Sequence, residues 1–279
     1  MPVRRETLRL PDGCETLLLR HVPPASADRG LPVLYVHGIQ SHPGWFMGSA
    51  QALARAGGEV FQVTRRGSGE AAVGRGDAAS AGQLLDDLTA AVDHVTARTG
   101  AERLALVGVS WGGKLLVAWA LEAPRPAASL TLVAPGIVPI VDLPLRTKLG
   151  IAAAGLCCPR SRFDIPLNDV SLFTDDSAMR EYLRGDRHRL HRATARFLVA
   201  SAMLDRRLAR APKAALRLPT TLLLARRDRI INNAATRDAL ERLTGGRVKV
   251  FELDAAHTIE FEPDPAAFHR LLCQAVGER

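Results

Sequence analysis

Six short apolar runs set the strongest limit on what this chain can become. They are "LPVLYVHG" (31–38), "EVFQV" (59–63), "RLALVGV" (103–109), "ASLTLVAPG" (128–136), "LPTTLLLARRD" (218–228) and "RVKVFELD" (247–254). Most lack the in–out alternation of a half-wetted strand and are too short to cross a membrane, so they read as strands buried on both faces. Between them lie segments with helical spacing: "GWFMGSAQALARAGG" (44–58), "AGQLLDDLTAAVDHVTARTG" (81–100), "GGKLLVAWALEA" (112–123, stopping before Pro124), "NAATRDALERL" (233–243) and "DPAAFHRLLCQAV" (264–276). In the second of these Leu84, Leu85, Leu88, Val92 and Val95 share one face. Strand alternating with helix predicts an α/β fold, a mostly parallel sheet with helices on both faces. The opening "ETLRLPDGCETLLLRHV" adds an antiparallel hairpin turning at Pro11-Asp12-Gly13.

The alternation breaks once. Residues 137–216 contain a helical stretch, "LPLRTKLGIAAAGLCC", a Pro- and Asp-punctuated loop, "RFDIPLNDVSLFTDD", and a second helical stretch, "RLHRATARFLVASAMLDRRLAR", with Leu190, Phe197, Leu204 and Leu208 on its apolar side. This predicts a core formed by 1–136 and 217–279, with a mainly helical cap inserted at 137–216. Charge follows the same division. Of a net +8, Ile137–Arg217 carries +7, from 15 Lys/Arg against 8 Asp/Glu. A basic chain raises nucleic acid as a partner, but only four of its 37 basic residues are lysine, and no nucleic-acid partner is expected. A pocket beneath the cap would sit in positive potential, so an anionic small-molecule substrate is anticipated.

The segment "LALVGVSWGGKLLV" (104–117) fits two motifs. Gly108–Lys114 reads G-x-x-x-x-G-K, most of a phosphate-binding loop. That loop needs a Ser or Thr next, to ligate magnesium, and Leu115 cannot do so. Gly108-Val109-Ser110-Trp111-Gly112 reads G-x-S-x-G, a strand-to-helix elbow that exposes a serine hydroxyl. Gly108 and Gly112 permit the sharp turn. Ser110 needs a base, and a histidine base needs a carboxylate to hold its tautomer. Asp228, at the end of "TTLLLA", and His257, in the loop after "VKVFEL", follow in the order serine, acid, histidine. Asp254 and Asp264 lie too near His257 in sequence to be the usual acid. His94, His188, His191 and His269 fall in helical patterns, and His21 belongs to the hairpin. Two backbone N–H groups must also meet the developing oxyanion. Trp111 follows the nucleophile, and Ile39 follows Gly38 in "HGIQSH", where His37 is expected to organise the loop and His42 to be an ordinary loop residue.

These pieces resemble an α/β-hydrolase of the monoacylglycerol lipase and lysophospholipase type. The matching segments are "HGIQSH" (37–42), "RRGSG" (65–69), "GVSWGG" (108–113), "ARRDRIINNAATR" (225–237) and "AAHTIEFEPDP" (255–265), in that family's order, with the insertion where it carries its cap. The resemblance implies the α/β-hydrolase fold, Ser110, Asp228 and His257 as triad, Ile39 and Trp111 as oxyanion donors, and esters or thioesters with an apolar acyl group as substrates. The chain departs from it at Trp111, where methionine or leucine is commoner, and in its basic cap. Tryptophan at that position is familiar from proline iminopeptidases, whose substrate ammonium would need acids such as Asp175, Asp176 or Glu181. The same scaffold also suits an acyltransferase or a non-catalytic ligand receptor. Cys14, Cys157, Cys158 and Cys273 show neither metal spacing nor a disulfide framework. With no metal or cofactor expected, no secretory signal and no transmembrane segment read in the chain, the expected location is cytoplasmic.

Overall fold

A computed structural model describes residues 2–70, 74–122 and 126–277. The hairpin forms as expected: β1 (Val3–Arg9) pairs antiparallel with β2 (Glu15–His21), and the Leu10 N–H closes the turn on the Cys14 carbonyl at 2.7 Å. The sheet continues with β3 (Val33–Val36), β4 (Val60–Val63), β5 (Leu104–Val109) and β6 (Ala127–Val133). Two short strands of the insertion, β7 (Arg162–Asp164) and β8 (Arg192–Thr194), form a separate antiparallel ladder. The main sheet closes with β9 (Thr220–Ala225) and β10 (Val248–Leu253). Its eight strands run β1-β2-β4-β3-β5-β6-β9-β10, parallel from β4 onward. Every residue of β3, β4, β5 and β9 is buried, which is why those runs show no alternation; β10, at the edge, stays partly exposed.

Helices cover both faces. α1 (Met47–Arg55) packs on the closing helix of the chain, and α2 (Ala81–Thr99) packs on α3 (Trp111–Ala120). The ends of α2 are written locally: Ser80 caps the Gln83 N–H, and Gly100 ends the helix in the left-handed region at φ 69°. Its expected apolar face, Leu84 to Val95, is buried. Pro124, the expected stop of α3, lies outside the described residues.

Between β6 and β9 the chain forms α4 (Leu145–Cys157), β7, α5 (Ser177–Gly185), β8 and α6 (Ala195–Arg210). Three expectations change here. The helix anticipated from Arg189 begins only at Ala195, where Thr194 caps the Phe197 N–H, because the preceding residues are recruited into the ladder with β7. Leu190 is buried outside that helix, its N–H bonded to the Gln40 carbonyl at 2.9 Å. His188 and His191 lie in this same non-helical stretch, whereas His94 sits in α2. After β9 the core resumes with α7 (Asn233–Thr244), and α8 (Ala266–Gly277), which carries His269 and packs on α1, ends the chain. Among the described residues no helix is long and apolar enough to cross a membrane.

Candidate active site

At the end of β5 the backbone turns through Ser110 at φ 51°, ψ −124°, a conformation that a residue with a side chain rarely adopts, and enters α3 at Trp111. Holding such a residue costs about 1–3 kcal/mol and needs surroundings that enforce it. Here the Ser110 N–H donates to the Val133 carbonyl at 2.9 Å, and the Ser110 carbonyl accepts from the N–H groups of Gly113 (2.9 Å) and Gly136 (2.8 Å). The flanking glycines are demanded by close approach. A side chain at Gly112 would collide with the carbonyl oxygens of Val36 and His37, and one at Gly108 would come within 2.7 Å of the Gly113 Cα. Lys114 completes no phosphate loop: it is buried in α3, with Nζ bonded to Asp205 Oδ1 (2.7 Å) and Ser201 Oγ (3.2 Å).

The loops after β9 and β10 bring Asp228 and His257 to this elbow. His257 Nδ1 lies 2.7 Å from Asp228 Oδ2, and Nε2 lies 3.0 Å from Ser110 Oγ. The Asp228 side chain is wholly buried, and its other oxygen accepts from the N–H groups of Ile230 (2.8 Å) and Ile231 (2.9 Å). Those bonds offset the desolvation of the carboxylate and aim Oδ2 at the imidazole. The Nδ1–H tautomer follows, leaving Nε2 as acceptor for the Ser110 proton. The neighbouring acids are engaged elsewhere: Asp254 accepts from Arg227 Nε at 2.9 Å, and Asp264 caps the Ala266 N–H at 2.9 Å.

Arg65 organises the loop carrying Gly38 and Ile39. Its buried guanidinium donates to the carbonyls of His37 (3.3 Å), Gly38 (2.7 Å) and Ile39 (3.0 Å), and lies 4.6 Å from the Trp111 ring centre. Burial lowers Arg65 to about 9, which still leaves it charged at neutral pH. In a planar trans peptide the C=O and the following N–H point in opposite directions. With the Gly38 carbonyl drawn to Arg65, the Ile39 N–H faces away from it, and Ile39 lines the cavity at Ser110. The same rule turns the Trp111 N–H away from the helix-side partners of the Ser110 carbonyl. Neither N–H donates to a carbonyl of the described turns and loops. Gly38 itself keeps the approach open, since a side chain there would reach within 3.6 Å of Ser110 Oγ.

His37 takes the organising place expected of it. Its Nε2 accepts from the Arg65 N–H (3.2 Å), and its Nδ1–H donates to the Gly38 carbonyl (2.9 Å). Burial, reinforced by the Arg65 charge, holds His37 well below the ordinary histidine range, so it stays neutral. His42 is more than an ordinary loop residue: with Trp45 it grips Asp186 of the insertion, Nε2 at 3.0 Å and the indole N–H at 2.7 Å. Burial raises the Asp186 carboxyl, but these two bonds, the His42 charge and the His188 N–H together leave the group below the usual carboxylate range. Trp111 reaches the insertion too, stacking on Phe197 at 5.4 Å and donating to Ser201 Oγ at 2.8 Å.

The cavity in front of Ser110 and His257 is walled by Trp45, Phe46, Val109, Leu167 and Phe173, and holds about 20 Å³. Gln40 and Ser41 also line it. Among the described residues no lysine, arginine, aspartate or glutamate does. Asp175 is tied to Arg180, Arg227 and Arg229, Asp176 caps α5, and Glu181 pairs with Arg184 on the surface. Much of the insertion's positive charge is matched locally, since Lys148, Arg180, Arg184, Arg192, Arg196 and Arg207 each face a carboxylate.

The chain order of Ser110, Asp228 and His257 is matched by their meeting at one place, whereas nothing local in the sequence signals Arg65. An arginine at a strand end reads as solvated, and only the folded loop shows it buried against three carbonyls.

Against known proteins, the profile of the family described as serine aminopeptidase, S33, matches residues 29–264. No curated protein matches the sequence significantly. Among solved structures, the chain is similar to a monoacylglycerol lipase from Paleococcus ferrophilus (TM-score 0.78, 19% identity, 99% of this chain and 98% of that one). It is also similar to a soluble variant of monoglyceride lipase from Saccharomyces cerevisiae (0.81, 16%, 99% and 96%) and to a carboxyl esterase from Bacillus coagulans (0.79, 13%, 99% and 99%). At these identities the likeness establishes the α/β-hydrolase fold.

Proposed function

Because this chain belongs to the hydrolase family described as serine aminopeptidase, S33, we propose that it is a serine hydrolase that cleaves carboxylic esters or thioesters through an acyl-enzyme. The observation that carries this reading is His257, within hydrogen-bond reach of both Asp228 Oδ2 and Ser110 Oγ. Ser110 Oγ attacks the scissile carbonyl carbon while its proton passes to His257 Nε2. Asp228 steadies the imidazolium, and the Ile39 and Trp111 N–H groups receive the oxyanion. The proton then moves from His257 to the departing alcohol or thiol. A water, deprotonated by His257, adds to the acyl carbon; His257 returns that proton to the departing Ser110 Oγ, and the carboxylic acid is released. Nothing in these steps calls for a cofactor or metal.

In this reading residues 137–216 form a cap over a core of 1–136 and 217–279, reaching the site through Leu167, Phe173 and the grip on Trp45. The apolar walls favour an apolar acyl group. An ester reading is preferred to an aminopeptidase one because no described acid lines the cavity to meet an ammonium group. An anionic carrier would be drawn only by the long-range field of cap residues such as Arg146 and Arg206, since no described cation lines the cavity.

The test is covalent labelling. A fluorophosphonate should modify the protein at Ser110, with labelling and p-nitrophenyl ester hydrolysis both lost in Ser110→Ala. Labelling that persists in Ser110→Ala removes this serine from the mechanism.

A further inference from the structure

Two buried side chains at the cavity each keep a polar atom without a partner among the described residues. Gln40 and Ser41 are 1% and 3% exposed, both line the space in front of Ser110, and neither Gln40 Nε2 nor Ser41 Oγ is hydrogen-bonded. The glutamine's orientation is set by the insertion. Its Oε1 accepts from Arg189 Nε at 3.0 Å, and a guanidinium can only donate, so the amide oxygen must face Arg189 and the NH2 must face away. Arg189 is itself fixed by donating to the Leu167 carbonyl (2.5 Å) and by lying 5.4 Å from the Phe173 ring centre. Ser41 Oγ is near the nucleophile: it and Ser110 Oγ lie 3.2 and 3.6 Å from the single point that a Gly38 Cβ would occupy.

Buried donors without acceptors are costly, and native interiors keep few of them. Arg189 Nε asks only for an acceptor at 40, and alanine at 41 would suit the apolar walls, so the amide NH2 and the hydroxyl are donors that the described residues do not use. We propose that Gln40 Nε2 and Ser41 Oγ form a hydrogen-bonding subsite for an oxygen on the substrate, so that the preferred ester carries a short group interrupted by an ether, hydroxyl or carbonyl oxygen rather than an unbroken alkyl chain. The cavity these atoms line holds about 20 Å³, space for a water-sized group. This rests on the reading of Ser110 as nucleophile and sharpens its substrate class.

The experiment compares isosteric esters in which one CH2 is replaced by O. On the acyl side the pair is p-nitrophenyl butyrate and p-nitrophenyl methoxyacetate; on the alcohol side it is butyl acetate and 2-methoxyethyl acetate. The measured quantity is the ratio of kcat/KM, ether over alkyl, in the wild type, Gln40→Met and Ser41→Ala. Intrinsic reactivity cancels when ratios are compared between proteins, and a partly folded sample still reports its ratio. The expected result, in one of the two series, is a ratio that falls about tenfold in Gln40→Met, as for a lost buried hydrogen bond, and less in Ser41→Ala. Ratios within twofold of wild type in both series and both variants overturn the subsite. That failure, with Ser110 labelled by fluorophosphonate and the alkyl esters still hydrolysed, leaves the hydrolase reading standing. An unlabelled Ser110 with no ester turned over defeats the hydrolase reading itself, and the subsite with it.

Discussion

Asp228 and His257 leave at most 3% of their side chains exposed, and each polar atom of the pair has a partner of defined geometry. The insertion that faces them is made differently. Its first helix, α4, buries only Ile151 and leaves Leu145, Leu149 and Leu156 exposed at 72%, 63% and 91%. It meets the site through polar grips (His42 and Trp45 on Asp186, Gln40 on Arg189, Trp111 on Ser201), through the stack of Trp111 on Phe197 and through backbone bonds such as Leu190 N–H to the Gln40 carbonyl. One region is over-determined at the ends of buried strands; the other includes, in α4, a helix with most of its large side chains exposed. Substitutions in the first should therefore abolish chemistry while sparing the fold. On the outer face of the second they should do little.

The largest expected effect is at Ser110, the proposed nucleophile. Ser110→Ala should lose roughly 10⁶-fold in turnover and stay folded. Ser110→Gly should be equally inactive yet more stable by about 1 kcal/mol, because glycine relieves the positive φ. Urea midpoints of the two variants check this, and equal midpoints would mean that the elbow stores no strain. Next comes Asp228→Asn, which should cost about 10⁴-fold by leaving His257 in the wrong tautomer. If this variant stays near full activity while Asp254→Asn is dead, the acid is the other residue.

Arg65→Met tests whether the rigidity of the first region extends to the oxyanion loop. With three carbonyls released, kcat should fall about 10²–10³-fold with KM little changed. Arg65→Lys should not rescue it, since an ammonium cannot bridge three acceptors as a fork does. A rise in KM alone would place Arg65 in substrate binding instead.

A smaller effect is on stability against pH. His37 is held neutral in the fold, below its ordinary range, by burial and by Arg65. Below about pH 6.5 the unfolded chain takes up a proton that folded His37 refuses, so the unfolding free energy declines as pH falls, at up to about 1.4 kcal/mol per pH unit for this group. The contribution is fully present above pH 6.5. His37→Asn should flatten that slope in urea titrations between pH 7 and 5, and an unchanged slope would assign it to other groups. The smallest effect is on the outer face of α4, where Leu145→Gln and Leu149→Gln should each shift stability by no more than about 0.5 kcal/mol. Larger losses would mean that this face packs against something.

The same contrast divides what could be read from residues alone. The buried strands, the apolar face of α2 and the turn at Ser110 were legible because each is signalled within a few residues: an apolar run, Leu84 to Val95 at helical spacing, two glycines about a serine. Parallel strands then carry their ends to one edge of the sheet, so chain order was enough to bring Ser110, Asp228 and His257 together. The start of α6, the β7–β8 ladder and the burial of Arg65 depend on partners far along the chain. "RLHRAT" has no local reason to leave its helix until Arg162–Asp164 pairs with it. Arg65 is an ordinary surface residue until the carbonyls of residues 37–39 close around it, and Gln40 has no defined face until Arg189, 149 residues later, takes its oxygen. Local free energies write the elements and the turn at Ser110; which polar atoms are buried, and which are left without a protein partner, is decided only when distant segments exclude water together.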